Sequence, residues 1–372
     1  MLVVLGAILL ASAFICSVLL CWAIRCAARR VGFVDRPGAR KIHSEPVALG
    51  GGIALFLTTA GIVGAGVVFA LIQRGDVMTW PPRVIQDHIP RILARTSLVF
   101  YILAGGAVMF VLGFLDDVRQ LSPWTRLAVQ TLVAVLLCVS SDELRVTAFV
   151  AHKGVSFIYT ILWVVGITNA FNLLDNMDGL SAGVAAIASL LFIVVAVITQ
   201  QYFLAAMLLV FLGGLLGFLV FNFPPASLFM GDAGSMFIGY LLAMLTILFT
   251  FYVPNRGYNP FSALLVPVVI LAVPIYDTIS VVVIRLAQGK SIFGGDKNHF
   301  SHRLVALGMS KRAAVLTIYL VTLCTGLLAP LLLRLETAMS LLVFANVAVM
   351  LALIWLLEHV GRRGRNNQGN AN

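Results

Sequence analysis

The sequence predicts an all-α fold, a polytopic membrane bundle of about eleven transmembrane helices, and three observations carry that expectation. Hydrophobic residues make up 61% of the 372, charged residues only 11%, and mean hydropathy is +1.03. A soluble domain of this length would expose too much apolar surface to stay in solution. Apolar runs of roughly 17 to 25 residues, the length that crosses the hydrocarbon layer as a helix, recur along the whole chain. Lys and Arg gather in alternate loops beside those runs.

The first run, 2–24, has no basic residue ahead of it and is followed by Arg25, Arg29 and Arg30, so it reads as an anchor running outside to inside rather than a cleaved leader. Further spans are predicted at 48–73, 97–114, 125–140, 154–170, 180–199, 203–221, 233–252, 261–285, 313–334 and 338–357. Alternation from an external N-terminus places 17 of the 25 Lys and Arg residues inside: six in 25–41, Arg119 and Arg126, six in 285–312 and three in the tail. The reverse topology places only eight there, so the positive-inside rule selects an external N-terminus and a cytoplasmic C-terminus. The domain reading is one membrane domain, 1–357, and a basic, disordered tail, 358–372. Internal repeats are not evident, which disfavours an inverted-repeat transporter.

A net charge of +10 could point to nucleic acid, but the basic residues sit in short loops beside spans, where anionic lipid and phosphate are the better partners. The five cysteines lie in or beside apolar runs with no CxxC spacing, so neither a disulfide framework nor a zinc site is indicated.

Only 15 residues are acidic, yet Asp116, Asp117, Asp175, Asp178 and Asp232 all fall at span ends that this topology places on the cytoplasmic side. They stand in LGFLDD, NAFNLLDNMDGL and LFMGDAGS, an arrangement expected to assemble a cation site. Asp116 and Asp117 close an inward-running helix, where the dipole already presents negative charge and two adjacent acids repel. Either a cation offsets that cost or one acid keeps its proton; the bland alternative is a solvated acidic helix end. Asn169, Asn172, Asp175 and Asp178 recur every third residue, and each step of three slips a helical side chain by about 60°. A tightened last turn, or unwinding before Gly179, would bring all four toward one cavity.

Asp232 begins an outward-running span, where N-capping alone explains a carboxylate. Gly231 and Gly234 would let the backbone approach a phosphate, Ser235 could donate to it, and Asn222, Pro224 and Pro225 fix the turn upstream. Lys41 and His43 precede the glycines at 50–52, a run that admits a ligand or a neighbouring helix. GGDKNHFSHRL gathers Asp296, Lys297, His299, His302 and Arg303; its cations would repel a zinc ion and suit phosphate. Asp277 lies within a span, where an ionisable group is expensive unless paired or functional. Arg285, about two turns on, is too far to pair with it directly.

At these residues the chain resembles the polyprenyl-phosphate N-acetylhexosamine-1-phosphate transferases, in particular the undecaprenyl-phosphate N-acetylglucosamine-1-phosphate transferase branch. The resemblance runs from DRPGARKIH to SHRL and rests on the DD pair, NxxNxxDxxDGL and GDxGS in that order; the family's eleven-span arrangement matches the span count. It implies transfer of a sugar 1-phosphate from a UDP-N-acetylhexosamine to a polyprenyl phosphate such as undecaprenyl phosphate, with release of UMP, as the initiating step of cell-envelope polysaccharide synthesis. It also implies an integral inner or plasma membrane enzyme with its site on the cytoplasmic face, using Mg²⁺, with Mn²⁺ and a homodimer left open.

Carried over by that resemblance, Asp116 is the base toward the lipid phosphate, supported by Asp117. Asp232 leads the metal ligands beside Asn172 and Asp175, and Asn172, Asp175 and Asp178 line the nucleotide pocket. Lys41 and His43 touch the nucleotide, while His299, His302 and Arg303 hold the diphosphate or sugar. Direct transfer and a phospho-aspartate intermediate both stay open. One departure is Ser301, where the family's motif often has His. It also breaks the three-histidine run of the phospho-N-acetylmuramoyl-pentapeptide transferases, which remain the runner-up branch. A cation-coupled transporter is the reading of another class, but it calls for acids near the bilayer midplane, where only Asp277 qualifies.

Overall fold

A computed structural model describes residues 2–36, 46–75, 86, 88–146, 152–249, 260–292 and 298–369, and Lys41, His43, Asp296 and Lys297 lie outside them. The apolar runs form helices in order: α1 (Leu2–Val31), α2 (Gly51–Ile72), α3 (Ile89–Ala94), α4 (Thr96–Arg119), α5 (Pro123–Ser140), α6 (Lys153–Leu174), α7 (Leu180–Ile198), α8 (Tyr202–Asn222) and α9 (Gly231–Leu248). After these come α10 (Pro260–Ile270), α11 (Ala272–Ala287), α12 (Phe300–Ala306), α13 (Lys311–Gly326), α14 (Ala329–Leu332) and α15 (Thr337–Gly369). Among the described residues ten helical stretches are long and apolar enough to cross a membrane, and α10 with α11, bent by 72°, makes an eleventh if taken as one span. That bend interrupts the single span expected at 261–285. Pro274 has no N–H to give the Ile270 carbonyl, so the helical ladder breaks where α10 meets α11.

Helix α9 is the axis of the bundle: all its residues from 233 to 248 are buried. A helix apolar on every side has to be surrounded. Glycines let its neighbours in. A Cβ on Gly52 of α2 would run into the Gly234 backbone, one on Gly113 of α4 into the Asp232 carbonyl, and one on Gly239 into Thr168 of α6. Small residues at such crossings allow helix backbones to touch. Gly234, expected to open the backbone to phosphate, is therefore used for helix packing, and so is Gly52 of the glycine run. Outer helices turn large apolar side chains such as Val3, Trp22, Phe100, Leu162 and Leu342 outward, as a lipid-facing surface requires.

A feature the sequence did not announce is a three-stranded sheet, β1 (Val34–Asp35), β2 (Val47–Leu49) and β3 (Leu228–Phe229), in the order β1-β2-β3. Val34 pairs antiparallel with Ala48, while Ala48 and Leu49 pair in parallel with Leu228 and Phe229. Together with Gly52 N–H donating to the Met230 carbonyl at 2.9 Å, it fastens the start of α2 to the start of α9. At the other end of the chain α15 runs on to Gly369, so residues 358–369, expected as a disordered tail, continue a helix. A helix once nucleated propagates at one bond per residue, and Glu358 is only 3% exposed, packed inside the domain that was expected to end before it.

Candidate active site

Three helix ends meet at one end of the bundle: the last turn of α4, the last turn of α6 and the first turn of α9. Asp117 shows why they stay together. It sits at the negative end of its own helix, yet its carboxylate accepts the Asp232 N–H at 2.7 Å and the Ala233 N–H at 3.1 Å at the positive end of α9. The conflict with one dipole is thus resolved by another. Gly231 is required there twice over, because its φ of 75° is left-handed and a Cβ would collide with the Asp117 carboxylate.

Asp116 is 5% exposed, and both its oxygens are engaged, by the Arg126 Nη1 at 2.7 Å and the Leu121 N–H at 2.6 Å. A tight turn makes this local pairing. Gln120 takes the left-handed conformation that ends α4, Ser122 caps α5 by accepting from the Thr125 N–H at 3.1 Å, and Arg126 is brought back over Asp116. The same guanidinium lies 4.0 Å from Asp232. Arg126 is the residue sequence reasoning missed; its signal was that it is one of two cations, with Arg119, in the short loop after the paired acids.

The polar series on α6 divides. Asn169 is turned to α5, donating to Gln130 at 2.6 Å and to the Val165 carbonyl at 2.8 Å. Asn172 reaches α9, with its amide donating to Asp232 Oδ1 at 2.7 Å and Ser235 Oγ at 2.9 Å. Helix α6 then ends, with Asp175 N–H bonded three residues back to the Asn172 carbonyl at 3.3 Å, and the chain unwinds to the left-handed Gly179, φ 74°. Asp178 faces the α8–α9 connection and accepts the Ala226 N–H at 2.9 Å. The expected gathering of all four in one cavity is therefore corrected: the unwinding occurs, but Asn169 and Asp178 brace the walls. Asn222 holds the unwound turn by accepting the Gly179 N–H at 2.9 Å.

Asp175 remains. Burial first, and then the carboxylates of Asp232, Asp117 and Asp178, push its pKa up from the usual carboxylate range to about 8, with no hydrogen bond to oppose them. A recessed carboxyl held among three others is a donor set short of positive charge. Among the described residues no three His, Cys, Asp or Glu side chains could cage a metal by themselves. Mg²⁺ does not require such a cage, since it keeps its waters and is usually held by one or two carboxylates plus substrate phosphate. Asp175 and Asp232 Oδ2 are suited to such an ion. Asn172 can offer only its carbonyl oxygen, because its nitrogen holds Asp232.

The histidine motif forms a separate wall. His299 Nδ1 lies 2.9 Å from Asp277 Oδ2, and Phe300 N–H donates to Asp277 Oδ1 at 2.6 Å. Asp277 thus has its partner on another element, and Arg285 instead donates to the Ser291 carbonyl at 2.7 Å. Ser301 donates to Asn176, which ties α12 to the turn carrying Asp175 and Asp178. The His302 ring centre is 6.3 Å from that of His299. Arg303, expected to hold diphosphate, is 2% exposed and committed to Glu358 at 2.7 Å, Ser280 at 2.9 Å and the Asn298 carbonyl at 2.6 Å. With the Tyr276 hydroxyl at 3.3 Å, these bonds take four of the five guanidinium N–H groups and seat α12.

Residues 99–250, from α4 through α9 and so from Asp116 to Asp232, match the family model of glycosyl transferase family 4. The chain is 34% identical over 300 residues to a probable undecaprenyl-phosphate N-acetylglucosaminyl 1-phosphate transferase of Bacillus subtilis, covering 79% of this chain and 75% of that protein. It is 31% identical over 319 residues to the decaprenyl-phosphate N-acetylglucosaminephosphotransferase of Mycobacterium tuberculosis, covering 80% and 75%. A phospho-N-acetylmuramoyl-pentapeptide-transferase of Lactobacillus acidophilus is 32% identical over 237 residues, covering 59% and 69%.

Proposed function

Because the chain belongs to glycosyl transferase family 4 and is a polytopic membrane phosphotransferase, we propose that it transfers N-acetylglucosamine 1-phosphate from the UDP-sugar to a polyprenyl phosphate. An oxygen of the lipid phosphate attacks the β-phosphorus of the donor, the bond from that phosphorus to the bridging oxygen breaks, and UMP leaves. The observation that carries this reading is the convergence of Asp116, Asp117, Asp175 and Asp232, from three separate stretches of chain, at helix ends where the neighbouring carboxylates raise the Asp175 pKa and where, among the described residues, no cation is paired with it. Phosphoryl transfer between anions needs charge neutralisation and in-line positioning above all.

Asp232 and Asp175, with the Asn172 carbonyl, would hold Mg²⁺, which supplies charge neutralisation on the donor diphosphate. Asn172 keeps Asp232 aimed, and Asp117 locks the first turn of α9 that carries it. Asp116 acts as base toward the lipid phosphate once Arg126, which lies 4.0 Å from Asp232, leaves it for a substrate phosphate. A lipid acceptor explains why the machinery lies at span ends, and the distribution of Lys and Arg argues for the cytoplasmic end, where the product would initiate an envelope polysaccharide. The pentapeptide-transferase reading is weaker because Ser301 interrupts the histidine run. A transporter is weaker still, because Asp277, the one acid expected within a span, is engaged by His299.

The test is purified protein with radiolabelled UDP-N-acetylglucosamine, Mg²⁺ and undecaprenyl phosphate. UMP and a lipid-linked sugar phosphate are expected; no UMP from any UDP-N-acetylhexosamine sinks the proposal.

A further inference from the structure

Asp277 has no part in the chemistry above, yet it is the most deeply placed carboxylate near the site: it is 1% exposed and its partner His299 is 6% exposed. A carboxylate there is costly unless fully partnered. Its two oxygens do different things. Oδ1 accepts the Phe300 N–H at 2.6 Å, which fixes the first turn of α12, and Oδ2 faces His299 Nδ1 at 2.9 Å, which fixes the ring. A carboxylate can only accept, so Nδ1 carries a proton whether the imidazole is neutral or charged. Nε2 is then the ring nitrogen left for a ligand. Helix α12 is itself tied to the turn that carries the acidic cluster, because Ser301, two residues on, is bonded to Asn176, the neighbour of Asp175. A group whose only task was to neutralise a buried charge would not need to hold both a ring nitrogen and the backbone of the next residue.

We propose that Asp277 is a positioning residue of the transfer reaction, fixing the His299 imidazole with Nδ1 as donor so that Nε2 meets the phosphate or sugar of the substrate. The proposal rests on the function assigned above and deepens it. Partners that orient an imidazole in this way are worth about 10- to 100-fold in activity when removed. In Asp277→Asn the amide can still accept from Phe300 through its oxygen, but its NH₂ then faces Nδ1 and forces the proton to Nε2.

Four proteins decide it: wild type, Asp277→Asn, His299→Gln and the double variant, each assayed for UMP release and checked for folding by thermal melting. The expected result is a loss of about 10- to 100-fold in Asp277→Asn, with the double variant no slower than His299→Gln alone. A wild-type rate in Asp277→Asn, or losses that multiply in the double variant, would assign Asp277 to packing and overturn the proposal. Should Asp277→Asn fail to fold, ¹⁵N spectra of histidine-labelled wild-type protein decide instead, with the His299 signal identified by its absence in His299→Gln. A protonated Nδ1 is expected, and a ring protonated on Nε2 alone overturns the proposal. An inactive wild-type protein would sink the assigned reaction while leaving the tautomer result intact, so the two failures are distinguishable.

Discussion

Asp175, Asp232 and Arg126 show how little a residue type says until its partners are known. Asp175 has its carboxyl pushed up to about 8 by burial and by neighbouring acids, whereas an unfolded chain would release that proton near 4. The folded state therefore binds more protons between those values, and without a cation it loses stability as pH rises through that window. Adding Mg²⁺ should restore the melting temperature near pH 8, and its apparent affinity should climb with pH because the cation competes with the proton. Thermal melts across pH, with and without Mg²⁺, check both. Asp175→Asn should weaken the dependence. At Asp232, replacement by Asn keeps the bond to Asn172 but removes a charge from the ion; turnover is expected to fall on the order of 100-fold or more with folding intact. Asp116→Asn should behave alike, read by UMP release. Truncating Arg126 to Ala strands the buried Asp116 and should cost about 1 to 3 kcal/mol of stability, a loss that Asp116→Asn in the same chain partly reverses.

Among the elements, α9 is fixed by close approach and α12 by a charge. Gly52→Ala puts a methyl group into the Gly234 backbone, which cannot swing aside as a side chain could. A loss of about 1 to 3 kcal/mol is expected, together with lower activity because α9 carries Asp232. Gly61→Ala, with no neighbour in reach of its Cβ, is the control and should melt like the wild type. Helix α12 depends on the Arg303–Glu358 pair, in which both groups are almost wholly buried. Breaking such a pair from one side typically costs about 3 to 5 kcal/mol, so Glu358→Ala should destabilise the protein far more than removal of residues 361–372. If both melted alike, the last helix would have no part in seating the histidines.

For the whole molecule the expectation is one polarity. Helices α4, α6 and α8 deliver their ends to the same side, which the proposal takes as cytoplasmic on the positive-inside count. A cysteine introduced at Glu143, at the far end of α5 from Asp116, should react with an impermeant thiol reagent from outside intact cells, and one at Ser291 only after lysis. The opposite pattern would place the carboxylates away from a cytoplasmic nucleotide pool and overturn the assigned donor.

Hydrophobic length and charge placement are local properties, and from them the sequence by itself determined a helical membrane bundle, the position of its spans other than the one broken between α10 and α11, and the presence of the acids at span ends. The same reading located Asp116, Asp117, Asn172, Asp175 and Asp232, since polar groups at the ends of apolar runs stand out whatever lies beside them. Tertiary structure alone decided their partners. One residue turns a helix face by about 100°, so whether Asn169 faces the cavity or α5, and whether Arg303 meets substrate or Glu358, depends on how each helix is rotated against its neighbours. Pairs such as Asp117 with α9, Asp277 with His299 and Gly52 with Gly234 join stretches far apart in the chain. Only the packing of backbone on backbone brings them within hydrogen-bonding or van der Waals reach.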